Sequence, residues 1–259
     1  MKQTISNTKN QNIEFFKWLF NTQEINLIEE KDIFPSTKKD EPISVIYYPN
    51  QLKNFFESMP MQRLKRILQL GPFIQNNSSA LQTRYEHSIG VYNLKKELII
   101  NQFYNNSEAK EYIEKNNLKN HLIAELIKSA AHDIGHLPLS HALEISVLNK
   151  KGFHEEIGKR ILLEHPCIKK SLSTISDNFG NILRETLEND IFGLKLLDEG
   201  NYDIDRFDYI KRDLAHNGQS FTQSFENFRL VKIQCENLGG KNFPLYNEDG
   251  SVTLARAKK

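Results

Sequence analysis

Histidines, acidic residues and arginines are concentrated at four places in the chain, and these places hold most of the residues that could do chemistry. The first is Arg84-Tyr85-Glu86-His87, and the second runs from His132 to His136 and reads His-Asp-Ile-Gly-His. The third is Phe153-His154-Glu155, and the fourth contains Asp205-Arg206. Neutral imidazoles and carboxylates are the ligands with which proteins hold a divalent ion that activates water. The pattern therefore predicts a metal-dependent hydrolytic site.

Nitrogen and oxygen ligands without a thiolate suit manganese, iron, magnesium, cobalt, nickel or zinc, and they do not choose between these metals. His132 and Asp133 are neighbours, and neighbours on a helix point about 100° apart, so both reach one ion only where the helix ends. Gly135 and Pro138 indicate such an end. Taken singly, His87 reads as a core histidine and Asp205 as a helix N-cap. Their joint occurrence in this order favours the metal site.

Two predicted helices position these residues. Residues 84–103 place Val91, Leu94 and Leu98 on one apolar stripe, and His87 lies on the same face, four residues before Val91. Residues 119–133 repeat the pattern and place Asp133 on the apolar face, where an aspartate is rare unless it is paired or bound to metal. Further helices are expected at 13–20, 61–70, 139–150, 154–165, 180–188 and 203–217. Residues 1–12 are expected to be a tail and 43–48 a strand, and residues 228–235 and 251–255 are expected to pair as a hairpin.

Composition narrows the class of protein. The 259 residues are 39% hydrophobic, which suffices for one substantial core. The net charge of +1 does not suggest a strongly basic nucleic-acid protein. Nucleic acid stays an option as a partner. Cys167 and Cys235 form neither a disulfide framework nor a paired zinc motif. No apolar run reaches the length of a membrane span, and the N-terminus does not read as a signal peptide. We expect an intracellular, cytoplasmic protein without membrane contact, or a nuclear one if the source is eukaryotic.

Five segments carry a resemblance to a known family. They read MQRLKRILQLG, TRYEHSIGVYNL, AAHDIGHLPLSHALE, FHEEIGKRIL and YDIDRFDYIKRD, in this order. Together they resemble the HD-domain superfamily and, within it, the deoxynucleoside triphosphate triphosphohydrolases, which include bacterial dGTPase-like enzymes and the vertebrate SAM- and HD-domain dNTPase. The resemblance covers residues 57 to 217, with a weaker likeness through the hairpin.

The resemblance implies a fold and a domain organisation. The fold is expected to be mainly α, an HD-domain helical bundle with a small C-terminal β-hairpin. Residues 1–50 would be an N-terminal extension and 51–220 the HD domain. Residues 221–259 would be the hairpin that begins a truncated C-terminal lobe, since longer family members continue with a helical segment that holds the triphosphate.

The resemblance also implies a role for each matching residue. The metal ligands would be His87, His132, Asp133 and Asp205. The catalytic residues would be His136, His154, Glu144 and Arg84. Substrate would be bound by Gln69, Leu70, His141, Arg206, Tyr209 and Asp213, with Tyr209 stacked on the deoxyribose so that it excludes a 2′-hydroxyl.

The implied reaction is attack of a metal-activated water on the α-phosphorus of a dNTP, which gives a deoxynucleoside and triphosphate. A homo-oligomer is expected, because some family members bind nucleotides between subunits. Two alternatives stay open on the residues alone. One is another HD phosphohydrolase or phosphodiesterase, acting on nucleotides or single-stranded nucleic acid. The other is a truncated nucleotide-binding HD module without turnover.

Overall fold

The structure is a computed structural model, and it describes residues 2–29, 45–71, 81–150, 152–192 and 204–216. Within these ranges the chain is mostly helical and contains one two-stranded antiparallel sheet. The helices are α1 (Lys2–Phe20), α2 (Lys53–Phe56), α3 (Met59–Arg63), α4 (Arg84–Ile99), α5 (Ser107–Lys115), α6 (Lys119–Ala130), α7 (Ser140–Ser146), α8 (Phe153–Glu164), α9 (Pro166–Leu172), α10 (Phe179–Glu188) and α11 (Ile204–His216). The strands are β1 (Ile25–Glu29) and β2 (Val45–Pro49).

Helix α4 begins where it does because its first turn is capped on both sides. The Thr83 hydroxyl accepts a hydrogen bond from the Glu86 backbone N–H, and the Glu86 carboxylate accepts one from the Thr83 backbone N–H. This capping box satisfies two backbone donors that a helix end otherwise leaves without partners. It fixes Arg84 and His87 in the first turn of a helix that is buried along most of its length.

The core joins the long helices around α4 and α6. Leu122, Leu126 and Ala130 of α6 are fully buried, as their helical spacing predicts. Phe15 and Phe16 of α1 are also fully buried and belong to the same apolar cluster. The site helices therefore rest on one continuous core, which keeps their side chains in fixed rotamers.

Several expectations for the secondary structure are confirmed and others are wrong. Helices lie within or close to the ranges expected at 84–103, 119–133, 139–150, 154–165, 180–188 and 203–217. The expected tail at 1–12 is wrong, because α1 begins at Lys2. The helix expected at 61–70 is confirmed only in its first half: α3 and one 3₁₀ turn end at Arg66, and Ile67 is extended, with its carbonyl accepting the Arg84 N–H at 2.8 Å.

The described sheet contains one of the strands expected from the sequence. Strand β2 overlaps the strand expected at 43–48, and it pairs with β1, whose register sets Ile25 opposite Pro49. The hairpin expected from residues 228–235 and 251–255 lies outside the described residues. Among the helices that the structure describes, none has both the length and the apolar composition needed to cross a membrane.

Candidate functional site

The His132–His136 run leaves the helical path directly after α6. The helix ends at Ala130, and the next residues form tight turns in which Ile134 N–H bonds the Ala131 carbonyl and His136 N–H bonds the Asp133 carbonyl. The sequence predicted that the helix would continue to residue 133. Because the chain turns at this point, the adjacent His132 and Asp133 are not held 100° apart and both side chains face the first turn of α4.

Four predicted metal ligands meet between α4, α11 and this turn. The Nε2 atom of His87 lies 2.6 Å from Asp205 Oδ1 and 3.1 Å from His132 Nε2. The Oδ1 atom of Asp133 lies 3.6 Å from His132 Nε2. His87 is fully buried, whereas the Asp205 side chain is 41% exposed and leaves the cluster open to solvent on one side. His87, His132 and Asp205 each offer a ligand atom to one point.

The hydrogen bonds of the two histidines show that this cluster suits a cation. The Nδ1 atom of His132 donates to the Ser129 carbonyl at 2.8 Å, and that of His87 donates to Asp208 Oδ2 at 2.9 Å. The Ser129 carbonyl and the Asp208 carboxylate can only accept a hydrogen bond, so the proton of each neutral ring is assigned to Nδ1. Each Nε2 then carries no proton, and it faces the other ring and Asp205. Two bare nitrogens at 3.1 Å repel each other. A proton or a metal ion among them removes this repulsion, and nitrogen and carboxylate donors fit a divalent metal.

The pKa values describe the same cluster when a proton takes the place of the metal. Burial lowers the pKa of His132, but the carboxylates of Asp133 and Asp205 raise it more, and the result is a pKa of about 10. Burial raises the pKa of Asp205, yet its hydrogen bonds with His132 and His87 hold it far below its ordinary value. A metal ion must displace the histidine proton, so metal affinity decreases as the pH falls.

Arg84 and His136 surround Asp133. The Arg84 guanidinium lies 2.6 Å from Asp133 Oδ2, and His136 Nε2 lies 3.2 Å from Asp133 Oδ1. Burial lowers the pKa of His136 to about 4, with Arg84 and His154 adding to the effect and Asp133 opposing it. His136 is therefore a neutral imidazole near pH 7, and Arg84 contributes a permanent positive charge.

Glu144 orients two further histidines. His154 Nδ1 donates to Glu144 Oε1 at 2.8 Å, and His141 Nδ1 lies 3.5 Å from Glu144 Oε2. The His136 and His154 rings stack with centroids 3.9 Å apart.

Leu139 precedes α7 with a φ of 67°, a conformation that costs an L-residue energy and that recurs at functional sites. The strained turn brings Glu144 and His141 beside the other histidines.

One cavity of about 780 Å³ joins these groups to most of the residues predicted to bind substrate. The predicted site residues that line it are Gln69, Leu70, Arg84, His132, Asp133, His136, His141, His154, Asp205, Tyr209 and Asp213. His87 and Glu144 lie behind this surface, each in contact with a lining residue. Arg206 is exposed on α11 and does not line the cavity.

Three residues that support the site were missed by the sequence reasoning. Arg63 donates to the carbonyls of His136 at 2.7 Å and Ile134 at 2.6 Å, so it holds the His132–His136 turn in place. Asp208 accepts from His87 and also pairs with Arg212 on the next turn of α11. The spacing of Asp205, Asp208 and Arg212 puts all three on one helical face, which was the available signal.

Replacing Asp208 by asparagine is expected to weaken metal binding about 10- to 100-fold, because an amide fixes the tautomer of His87 less firmly than a carboxylate does. Equilibrium dialysis with Mn²⁺ would measure the effect. Asp177→Asn is the matched control, since Asp177 is exposed and lies outside the cavity. Unchanged affinity in a folded Asp208→Asn protein would show that this contact does not orient the ligand.

Gly135 lets α8 approach the turn closely enough to place His154. A Cβ at Gly135 would collide with the His154 carbonyl and with the Gly158 backbone nitrogen, and neither backbone group can move aside cheaply. The close approach explains why a glycine stands directly before His136 in the His132–His136 run. It also ties the position of His154 to the backbone of that run.

Gly135→Ala is expected to destabilise the fold by about 1–3 kcal/mol through overpacking. The matched control is Gly180→Ala in α10, because a Cβ at Gly180 would meet nothing within 4 Å. That change should leave stability unaltered or raise it by up to about 1 kcal/mol. Urea unfolding of both variants tests the difference, and equal stabilities would refute the close packing.

The chain is similar to several known proteins. It is 30% identical over 204 residues to a deoxynucleoside triphosphate triphosphohydrolase SAMHD1 homolog of Dictyostelium discoideum, with 71% of this chain and 37% of the relative covered. It is 27% identical over 177 residues to a putative HD domain-containing protein of Acanthamoeba polyphaga mimivirus, with 62% and 38% covered. A scan against models of protein families finds none that matches. The chain spans about half or less of the length of the curated relatives it matches.

A solved structure supports the same relationship. The crystal structure of a phosphohydrolase from Bacteroides thetaiotaomicron matches with a TM-score of 0.55 and 26% identity, covering 75% of this chain and 43% of that one. A hypothetical protein from Aquifex aeolicus matches the fold with a TM-score of 0.54 at 24% identity. Together with the histidine–aspartate cluster, these likenesses support a hydrolase of the HD-domain phosphohydrolase superfamily.

Proposed function

We propose that this chain hydrolyses deoxynucleoside triphosphates to deoxynucleoside and triphosphate in a metal-dependent reaction. The observation that carries the proposal is the single cavity, which combines the metal-ligand cluster with Arg84, three histidines and a polar end that includes Tyr209. A nucleoside triphosphate is long enough to contact all of these groups at once. The similarity to the Dictyostelium triphosphohydrolase homolog supports the same substrate class.

The metal would be held by His87, His132, Asp133 and Asp205. A divalent ion at such a site lowers the pKa of a bound water and polarises a phosphoryl oxygen. Because two of the ligands are carboxylates, the cluster also compensates the charge of the ion beside the buried His87 and Asp133.

The phosphate groups would lie along the positive and hydrogen-bonding side of the cavity. Arg84 contributes a fixed charge beside the α-phosphate, held in direction by its contact with Asp133. Negative charge that develops on phosphoryl oxygens is stabilised by such preorganised donors. His141, whose side chain is 61% exposed, stands at the open side, where the outer phosphates would extend.

His154 is the residue best placed to transfer a proton. Nδ1–H of His154 is donated to Glu144, so the proton that passes to the 5′-oxygen of the departing deoxynucleoside would be one carried on Nε2 of the doubly protonated ring. Glu144 is almost fully buried, and although burial raises its pKa, the contacts with His154 lower it more, so it stays ionised. A stacked neutral His136 fixes the plane of the His154 ring.

The sugar would bind near Gln69, Leu70, Tyr209 and Asp213. The Tyr209 ring lies 6.3 Å from the His87 ring, so a deoxyribose against Tyr209 sits next to the metal cluster. Gln82 donates a hydrogen bond to Asp213 and fixes its carboxylate. An aromatic ring against C2′ leaves no room for a hydroxyl, which favours deoxynucleotides over ribonucleotides.

A substrate panel tests the proposal. With Mn²⁺ present, each of the four dNTPs is expected to give deoxynucleoside, and the matching ribonucleotides are expected to react at least about 10-fold more slowly. A chelator should stop the reaction, and added Mn²⁺ should restore it. Turnover of deoxynucleoside monophosphates, cyclic dinucleotides or single-stranded DNA in place of dNTPs would contradict the proposed substrate and favour another phosphohydrolase reaction.

A further inference from the structure

A second cavity, of about 440 Å³, lies between α1 and the segment that leads from α4 to α6. It shares no lining residue with the large cavity that contains the metal-ligand cluster. Lys17 and Trp18 belong to α1, Tyr104 ends the π-helical turn that follows α4, Lys110 lies in α5, and Lys119 begins α6. Four parts of the fold therefore supply side chains to one pocket, whose volume is in the range that takes a small ligand.

Two aromatic rings form a wall of this pocket and orient two of its lysines. The Trp18 and Tyr104 rings have centroids 5.4 Å apart. The Lys110 ammonium lies 4.2 Å from the Tyr104 centroid and 5.6 Å from the Trp18 centroid, so it contacts both rings. The Lys119 ammonium lies 5.3 Å from the Trp18 centroid. Cation–π contacts restrict side chains that otherwise move freely, which lowers the entropy cost of holding a ligand.

The pocket carries an excess of positive charge. Of its lining residues, three are lysines and one, Glu14, is acidic. In the part of the chain that the structure describes, no carboxylate forms an ion pair with Lys17 or Lys110. Ammonium groups that share a partly enclosed space repel one another, and an anion among them turns this repulsion into attraction.

Glu114 lies close to the pocket and compensates only one of the three lysines. Its Oε1 atom accepts the Trp18 indole N–H at 2.7 Å and lies 3.6 Å from the Lys119 ammonium. The contact fixes the indole ring by its polar edge. The excess of positive charge therefore persists beside a ring whose position is set by the fold.

We propose that this pocket binds a phosphate-bearing anion, with the ammonium groups of Lys17, Lys110 and Lys119 around the phosphate oxygens. Phosphate has several oxygens that accept from more than one ammonium group, and lysine binds it as a compact point charge. Two sources share this chemistry, an inorganic polyphosphate and the phosphate of a nucleotide. A nucleotide would also bring a base that can pack against the two aromatic rings. The pocket is separate from the metal-ligand cluster, so this proposal does not depend on the proposed reaction.

Trp18 makes the pocket directly observable, because it is the only tryptophan in the chain. Its fluorescence is measured while the full chain, without added metal and at constant ionic strength, is titrated with inorganic triphosphate or with dAMP. A saturable change is expected, and the ligand that saturates at the lower concentration identifies the source of the phosphate. Sodium chloride should give no saturable change, and higher ionic strength should weaken the binding of either ligand.

Lys110→Gln combined with Lys119→Gln is expected to weaken this binding at least about 10-fold, since two of the three charges are removed. Lys17→Gln, at an exposed position, is a second variant and should weaken it by a smaller factor. The matched control is Lys169→Gln with Lys170→Gln, which changes two exposed lysines of α9 outside the pocket and should leave the affinity unaltered. Circular dichroism checks that each variant is folded.

Two results would overturn the proposal. One is the absence of a saturable change with both triphosphate and dAMP in the unaltered chain. The other is an unaltered affinity in the folded lysine variants, which would mean that the ligand binds elsewhere. Neither result depends on turnover, so failure of this site and failure of the proposed reaction are distinguishable.

Discussion

Replacing His132 and Asp133 together by alanine is expected to abolish Mn²⁺ binding at the His87 cluster and to lower kcat by about 10⁴-fold or more. The metal contributes several kcal/mol of transition-state stabilisation, and each 1.36 kcal/mol is a factor of ten. The double change removes two of the four ligands. It also deletes the carboxylate that lies between Arg84 and His136, so the Arg84 guanidinium loses the contact that orients it towards the phosphate.

A matched double variant separates this effect from a general loss of structure. His121→Ala with Asp177→Ala removes the same two residue types from positions outside the cavity, and both metal content and kcat should stay near those of the unaltered chain. Thermal unfolding of the two double variants controls for stability. Full turnover in the His132/Asp133 variant would mean that the chemistry takes place elsewhere.

His154→Ala is expected to retain Mn²⁺ and to lower kcat by about 10²–10⁴-fold, the usual contribution of a positioned acid or base. The separation is expected because His154 is held by Glu144 and stacks on His136, and it does not belong to the group formed by His87, His132 and Asp205. A combined result of intact metal and lost turnover would distinguish a proton-transfer residue from a ligand. Metal analysis and steady-state rates on the same preparation provide both quantities.

Glu144→Gln extends the same argument, since it keeps the shape of the side chain and removes its charge. The variant should also lower kcat with the metal retained, because an amide no longer fixes which nitrogen of His154 carries the proton. His165→Ala is the control, as His165 directly precedes α9 and does not line the cavity. An unchanged kcat in both His154→Ala and Glu144→Gln would remove these residues from the reaction.

The sequence predicted the residues that come together more accurately than it predicted the local path of the chain. The helical stripe through Val91 and Leu98 placed His87 on the inner face of α4, and the structure buries it fully. Such periodicity is a local property and can be read from one segment. The end of α6 was predicted less exactly, because the Ser129 carbonyl that binds the His132 ring replaces the hydrogen bonds of a continuing helix.

The missed features depend on contacts between distant parts of the chain. Arg63 looks like a surface arginine in its own segment, and only the folded chain brings it to carbonyls more than 70 residues away. Ile67 was expected in a helix, but its carbonyl bonds Arg84 and its neighbour Leu68 bridges to Thr83. Tertiary hydrogen bonds of this kind override local propensity, and a sequence without its fold does not reveal them.

Hydrolysis of a dNTP in ¹⁸O-labelled water, followed by mass spectrometry of all products, tests the central claim most directly. With Mn²⁺ present, attack of water on the α-phosphorus predicts intact triphosphate that carries one ¹⁸O atom and a deoxynucleoside that carries none. Label in the deoxynucleoside would place the attack on carbon. Pyrophosphate with deoxynucleoside monophosphate, or phosphate with deoxynucleoside diphosphate, would contradict the proposed reaction, and so would a metal-loaded chain that yields no product.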